Sequence, residues 1–139
     1  MASVSAIRRG LATRLKTISG LLVYDFVRGS VTAPAAVIKP GVAGREAVTF
    51  DKTFGRGSDA LVFVVLLLVA PASDQVSQDS LDAYMDGDGT KSVKAAIEGD
   101  ETLGGLVSFA HVVSVREYGL VEWGGVQYLG AQFVVEVTT

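Results

Sequence analysis

The chain has 139 residues, 49% hydrophobic and 19% charged, with no cysteine and one histidine. That length supplies one domain's core, and the charged fraction falls below the roughly 25% of an average soluble domain, which points to apolar surface that association would cover. The missing thiols exclude disulfides and thiolate metal sites, and a lone His111 excludes a zinc centre built on a histidine pair.

Val4, Ile7, Leu11, Leu15 and Ile18 recur at spacings of three and four, with Arg8, Arg9, Arg14 and Lys16 between them. The spacing predicts an amphipathic helix over 4–18, capped by Ser3 and stopped at Gly20. "LLVYDFV" (21–27) reads as a strand, and Pro34 opens a short apolar segment, "AAVIK", that "PGVAG" breaks. "AVTFDKTF" (47–54) alternates as a half-exposed strand, with Val48, Phe50 and Phe54 on one side. The turn formers "GRGSD" (55–59) then predict a hairpin or a longer arm. Residues 61–69 are apolar on both faces and closed by Pro71, which predicts a central strand. About three helices are too few to cover both its faces, so a neighbouring subunit is expected to cover what they leave bare.

Ser73 or Asp74 can cap the next helix, in which Leu81, Tyr84 and Met85 share a face and Gly87 or Gly89 forms a left-handed stop. Thr90 is the expected N-cap of a short helix that buries Val93, Ala96 and Ile97 and ends at Gly99. Two long strands follow, 106–118 and 126–137, separated by a glycine-containing loop that holds Trp123. The pattern is α+β: a single domain with a mixed or antiparallel sheet, two to three helices packed on it, and a β-hairpin arm. The longest apolar run, 60–70, is far short of the roughly 20 residues of a membrane-spanning helix. The first 20 residues lack the continuous apolar stretch of a secretory signal, so a soluble protein working where it is made is expected.

Residues 84–92, "YMDGDGTKS", invite comparison with two ligand loops. A calcium loop started at Asp86 would use Asp86, Asp88 and Thr90, but Lys91 stands where the turn needs glycine and Ile97 where a bidentate glutamate belongs. As a phosphate loop the stretch has Thr90 between Gly89 and Lys91, and Tyr84 in place of the first glycine. It reads as a helix-breaking connection in which glycines relax the backbone and aspartates solvate it. His111 alternates with Val107, Phe109, Val113 and Val115, which predicts a core or interface residue on the apolar side of its strand. With no Gly-x-Ser-x-Gly elbow, the chain does not read as an enzyme, and no cofactor or metal is implied. The helix bearing Arg8, Arg9, Arg14 and Lys16 could touch phosphates, but Tyr24 and Phe26 alone lie near as stacking residues. With a net charge of −3, no specific nucleic-acid binding is expected.

Charge is split along the chain. Residues 1–56 carry nine Lys/Arg against three Asp/Glu, and residues 57–139 carry three against twelve, so the halves stand at +6 and −9. Such polarity can join copies head to tail, the alternative being two solvated faces on one molecule.

The order of elements resembles the tail terminator family of long, flexible-tailed bacteriophages. "IRRGLATRL" runs into "ISGLLVYDFV" and "APAAVI", and "FGRGSDALVFVVLLLV" supplies the hairpin and central strand. The two-helix segment "ASDQVSQDSLDAYMDGDGTKSVKAAIEGDETLGG" leads to a closing pair ending in "GGVQYLGAQFVVEV". The resemblance spans almost the whole chain and rests on structural signatures. It implies a virion protein, six copies of which form a ring on the head-proximal end of the tail tube. That ring stops tube polymerisation and presents the docking surface for the head-tail connector, with assembly in the host cytoplasm and DNA passing through the lumen. A head-tail connector or head-closure neck protein of the same particles is the rival, while an enzyme using His111 and a small ligand-binding module are the competing classes. The implied partners are sister copies, the tail tube protein and the neck connector, with no membrane. A ring needs a patch on one subunit to meet a different patch on the next. Arg8, Arg9 and Arg14 on the helix and Arg56 at the turn are the basic candidates for that contact, and Asp79 and Asp82 the acidic ones. Trp123 is a candidate docking anchor or a cover for the end of its own core.

Overall fold

The computed structural model describes residues 3–26, 29–40, 47–50, 59–70 and 75–139. Ser3 sits in extended backbone and its Oγ accepts from the Ala6 amide at 3.1 Å, which starts helix α1, Val4–Leu15, at the expected cap. Ile7, Leu11 and Leu15 form its fully buried stripe, and the chain then turns through Gly20 at φ +81°, a conformation glycine enters without strain. Strands β1 (Leu22–Tyr24), β2 (Ala35–Pro40), β3 (Val48–Phe50) and β4 (Asp59–Ala70) precede helices α2 (Gln75–Met85) and α3 (Val93–Glu98). Strands β5 (Phe109–Trp123) and β6 (Val126–Thr138) close the chain.

The strands form one six-stranded sheet in the order β1-β2-β4-β6-β5, and β3 pairs with the first residues of β4 on the edge that β2 occupies further along. β1 and β2 run parallel, and the other pairs are antiparallel. The fold is α+β, as the pattern predicts. β3 and the start of β4 pair as a hairpin's two arms would, while of the expected turn 55–59 the residues before Asp59 lie outside the described ones. The expected caps Ser73 and Asp74 lie outside them as well.

All three helices contribute to one core. Ile7, Leu11 and Leu15 of α1, Leu81 and Tyr84 of α2, and Val93 and Ile97 of α3 meet the side of the sheet that carries Phe63, Val65 and Leu67 of β4 and Phe133, Val135 and Val137 of β6. The opposite side holds a smaller cluster of Val37, Leu66, Leu68 and Tyr128, closed by Tyr24, Val31, Ala33, Val121 and Trp123. The expectation that β4 leaves a face for a neighbour is therefore not met, because residues 61–69 are each at most 8% exposed within the single chain. The helices cover one face, and the segment around Val31 with the end of the β5–β6 hairpin covers part of the other. Counting helices alone overlooks that second source of cover.

Several boundaries differ from expectation: α1 ends at Leu15 rather than 18, β1 ends at Tyr24, and β5 begins at Phe109 rather than 106. Ser92, not Thr90, caps α3: its Oγ accepts from the Ala95 amide at 3.1 Å and donates to the Asp86 carbonyl, tying the end of α2 to the start of α3. β5 does not stop near residue 118 but runs through the expected loop to Trp123, and Gly124 and Gly125 alone make the turn, at φ +61° and +80°. Positive φ at both central residues is what a two-residue hairpin loop of type I′ requires.

Candidate subunit interface

β5 forms one border of the sheet path, and among the described residues no strand pairs with its outer flank. It has 15 residues, of which Ala110 alone is fully buried. The first part of its outer edge is closed by the chain itself: the Ala110 amide donates to the Glu101 carbonyl at 2.7 Å, and the Val112 amide donates to Glu98 Oε2 at 3.1 Å. Beyond that the pairing with β6 slips twice, between Val112 and Ser114 and between Arg116 and Gly119, where Glu117 takes φ +53°. Such bulges twist an edge and break its flat row of donors and acceptors.

What the flank offers instead is side chains. Tyr118 is 41% exposed and Leu120 58% exposed. The Tyr118 hydroxyl donates to Asp82 Oδ1 at 2.7 Å and accepts from Gln78 Nε2 at 2.9 Å, so α2 fixes the ring in place. The hydrogen bond to the Asp82 carboxylate holds the Tyr118 phenol above its usual range. Asp79, Asp82, Glu117 and Glu122 are all exposed on these same two elements. The result is an aromatic and aliphatic patch accompanied by acidic side chains.

Glu98, which closes part of the β5 edge, is also paired with Lys94. Burial pushes its carboxyl up, but the hydrogen bonds from Lys94 and from the Val112 amide outweigh that and hold it below its ordinary value of 4.5. A carboxylate depressed in the folded state contributes stability above its unfolded pKa and loses it as pH falls through the folded one. The urea midpoint of the native chain is therefore expected to fall more steeply on acidification below pH 4.5 than that of Glu98→Gln. Parallel curves would show that the carboxylate contributes nothing there.

The basic candidates separate. Arg9 is exposed on α1 and faces a shallow hollow that it shares with Gly10, Asp100, Leu103 and Leu106. Arg8 is half-buried, and its Nε has no hydrogen-bond partner among the described residues. Arg14 is used within the chain: its Nε donates to the Ala96 carbonyl at 2.9 Å, at the end of α3. Arg14→Ala is accordingly expected to cost about 1.5 kcal/mol of folding stability, as loss of a charge-assisted hydrogen bond, read as a shifted urea midpoint. Arg56 lies outside the described residues.

Trp123 packs against the second cluster beside Tyr24 and Val31, and its indole Nε1 has no hydrogen-bond partner among the described residues. Its place is that of a cover over its own core. No protein-family model matches the chain, and no curated protein matches it. His111 lies with Nε2 3.8 Å from Glu136 Oε2, beyond hydrogen-bond reach, and its ring stacks on Phe109 at a centroid distance of 5.4 Å. The Lys91 amine, which a phosphate loop would aim at its ligand, donates to the Ser19 carbonyl at 2.6 Å.

Asp79 and Asp82, singled out by charge, are thus brought to Tyr118, which was not; exposed Leu120 follows two residues along the same strand. The signal was present: a tyrosine and a leucine among Glu117 and Glu122 are poor material for a core strand. The expected strand ended at 118, and the loop assigned after it concealed Leu120.

Proposed function

We propose that this chain is a structural virion subunit of the tail-terminator kind, which closes into a ring on the head-proximal end of a phage tail tube and offers the surface on which the neck connector docks. The observation that carries the assembly part is the outer flank of β5, where exposed Tyr118 and Leu120 sit among acidic side chains on a chain whose first 24 residues contain no acid. An exposed apolar centre with charge at its border is the anatomy of a protein contact, and a basic half facing an acidic one suits a head-to-tail ring. The phage assignment is supported by the order of elements: an N-terminal helix, a hairpin-bearing central strand, two helices and a closing long hairpin. A neck connector of the same particles is the second reading, favoured by the same order of elements.

Negative-stain imaging and native mass measurement of the purified chain, alone and with tail tubes, test the proposal. Closed rings that cap tube ends support it. Binding to a portal complex without ring closure supports the neck reading, and a monomer at every concentration, indifferent to tubes, overturns both.

A further inference from the structure

We infer that the flank of β5 around Tyr118 and Leu120 is the seat for helix α1 of a second copy of this chain, with Arg9 of that copy directed at the Asp79 and Asp82 carboxylates. The inference rests on the ring reading and specifies a contact within it. Strand addition is the first way to use a sheet edge, and the geometry of β5 disfavours it. Ala110 and Val112 already spend their outward amides on Glu101 and Glu98, and two register slips with Glu117 at positive φ break the ladder beyond them. A flank that is irregular in backbone yet exposes a held aromatic ring is suited to side-chain docking.

The occupant follows from charge. α1 carries Arg8, Arg9 and Arg14, Lys16 follows directly, and the first acidic residue of the chain is Asp25. Arg14 is committed to Ala96 and Arg8 is half-buried, so Arg9 and Lys16 are the exposed cations, with Val4 exposed at the start of the helix. On the receiving side Asp79, Asp82, Glu117 and Glu122 accompany the patch. Gln78 and Asp82 fix the Tyr118 ring before any partner arrives, so a guanidinium can stack on it at little entropic cost. Tyr118 and Leu120 supply affinity, and the charges supply orientation and rate.

The absence of cysteine makes the test clean. Thr13→Cys and Glu122→Cys replace exposed side chains beside the contact and leave Arg9, Tyr118 and Leu120 in place, so both variants should fold and still dock. Mixed in equal amounts and treated with a short bismaleimide, they are expected to give covalent dimers in at least tenfold excess over either variant alone. The double variant is expected to give a ladder of multimers. In parallel, Asp79→Lys with Asp82→Lys should reduce assembly about tenfold at low salt, and mixing with Arg9→Glu should restore it. Wild-type rings without the mixed cross-link, or with equal cross-linking in each single variant, overturn this contact and leave the ring reading standing. A wild-type chain that never assembles overturns both.

Discussion

Gly130→Val is expected to cost about 3 kcal/mol or more and to lower the thermal midpoint by roughly 10 °C. Gly130 lies in β6 opposite Leu68 of β4 on one side and Gly119 of β5 on the other. A Cβ there would overlap the Leu67 carbonyl oxygen and approach Leu68 Cδ2 at 3.3 Å. The first of these is backbone inside the sheet, so relief requires β4 and β6 to part rather than a side chain to turn. Their pairing spans nearly the full length of β4 and skips a residue beside this point, between Leu68 and Ala70. Against a total stability of about 5–15 kcal/mol, losing 3 is a large share. Gly87, with nothing within 4 Å of its would-be Cβ, is the control: Gly87→Ala should leave the urea midpoint nearly unchanged. Equal midpoints for the two variants would mean that β6 does not approach β4 in this register.

Much of the architecture was legible because periodicity reports burial. The three- and four-residue spacing of Val4, Ile7, Leu11 and Leu15 gave α1, and the two-sided apolar run 61–69 gave the central strand, since no solvated strand tolerates such composition. The misplaced features were those decided by long-range contact. Thr90 and Ser92 are both competent caps, and Ser92 prevails because its hydroxyl also reaches the Asp86 carbonyl across the turn. His111 and Val115 share an alternation in sequence, but the slip at Val112/Ser114 turns Val115 toward the helix-side core while His111 stacks on Phe109. One inserted residue reverses every later side chain of a strand, and nothing in the local sequence marks it.

The candidate interface was half legible for the same reason. Charge counting along the chain named Arg9, Arg14, Asp79 and Asp82 alike as interface candidates; Arg9, Asp79 and Asp82 are exposed, but charge could not tell that Arg14 is spent on Ala96. That bond joins residues 82 positions apart, and a guanidinium on a helix looks alike whether it meets solvent or a distant carbonyl. Trp123 was balanced between anchor and cover. The structure packs it against the cluster of Val37, Leu66, Leu68 and Tyr128, residues far from it in sequence except Tyr128.

Phe133→Ala is the second large effect, expected to cost about 3–5 kcal/mol. Phe133 is 1% exposed, lies in β6 beneath the helices, and is among the largest fully buried side chains of the main core. Removing it withdraws the ring's transfer free energy and leaves a void, and how far the void closes decides where in that range the cost falls. Met85, Val112 and Val115 line a hollow beside the ring, and Met85 is the one with flexibility enough to lean inward. Leu120→Ala is the instructive contrast: its side chain is mostly in solvent in the isolated chain, so the cost of truncation should stay within about 0.5 kcal/mol. Urea denaturation of dilute protein separates the two. If Phe133→Ala shifted the midpoint no more than Leu120→Ala, the helices would not be packed on this face of the sheet, and the assignment of an inner face to β6 and an outer flank to β5 would fail together.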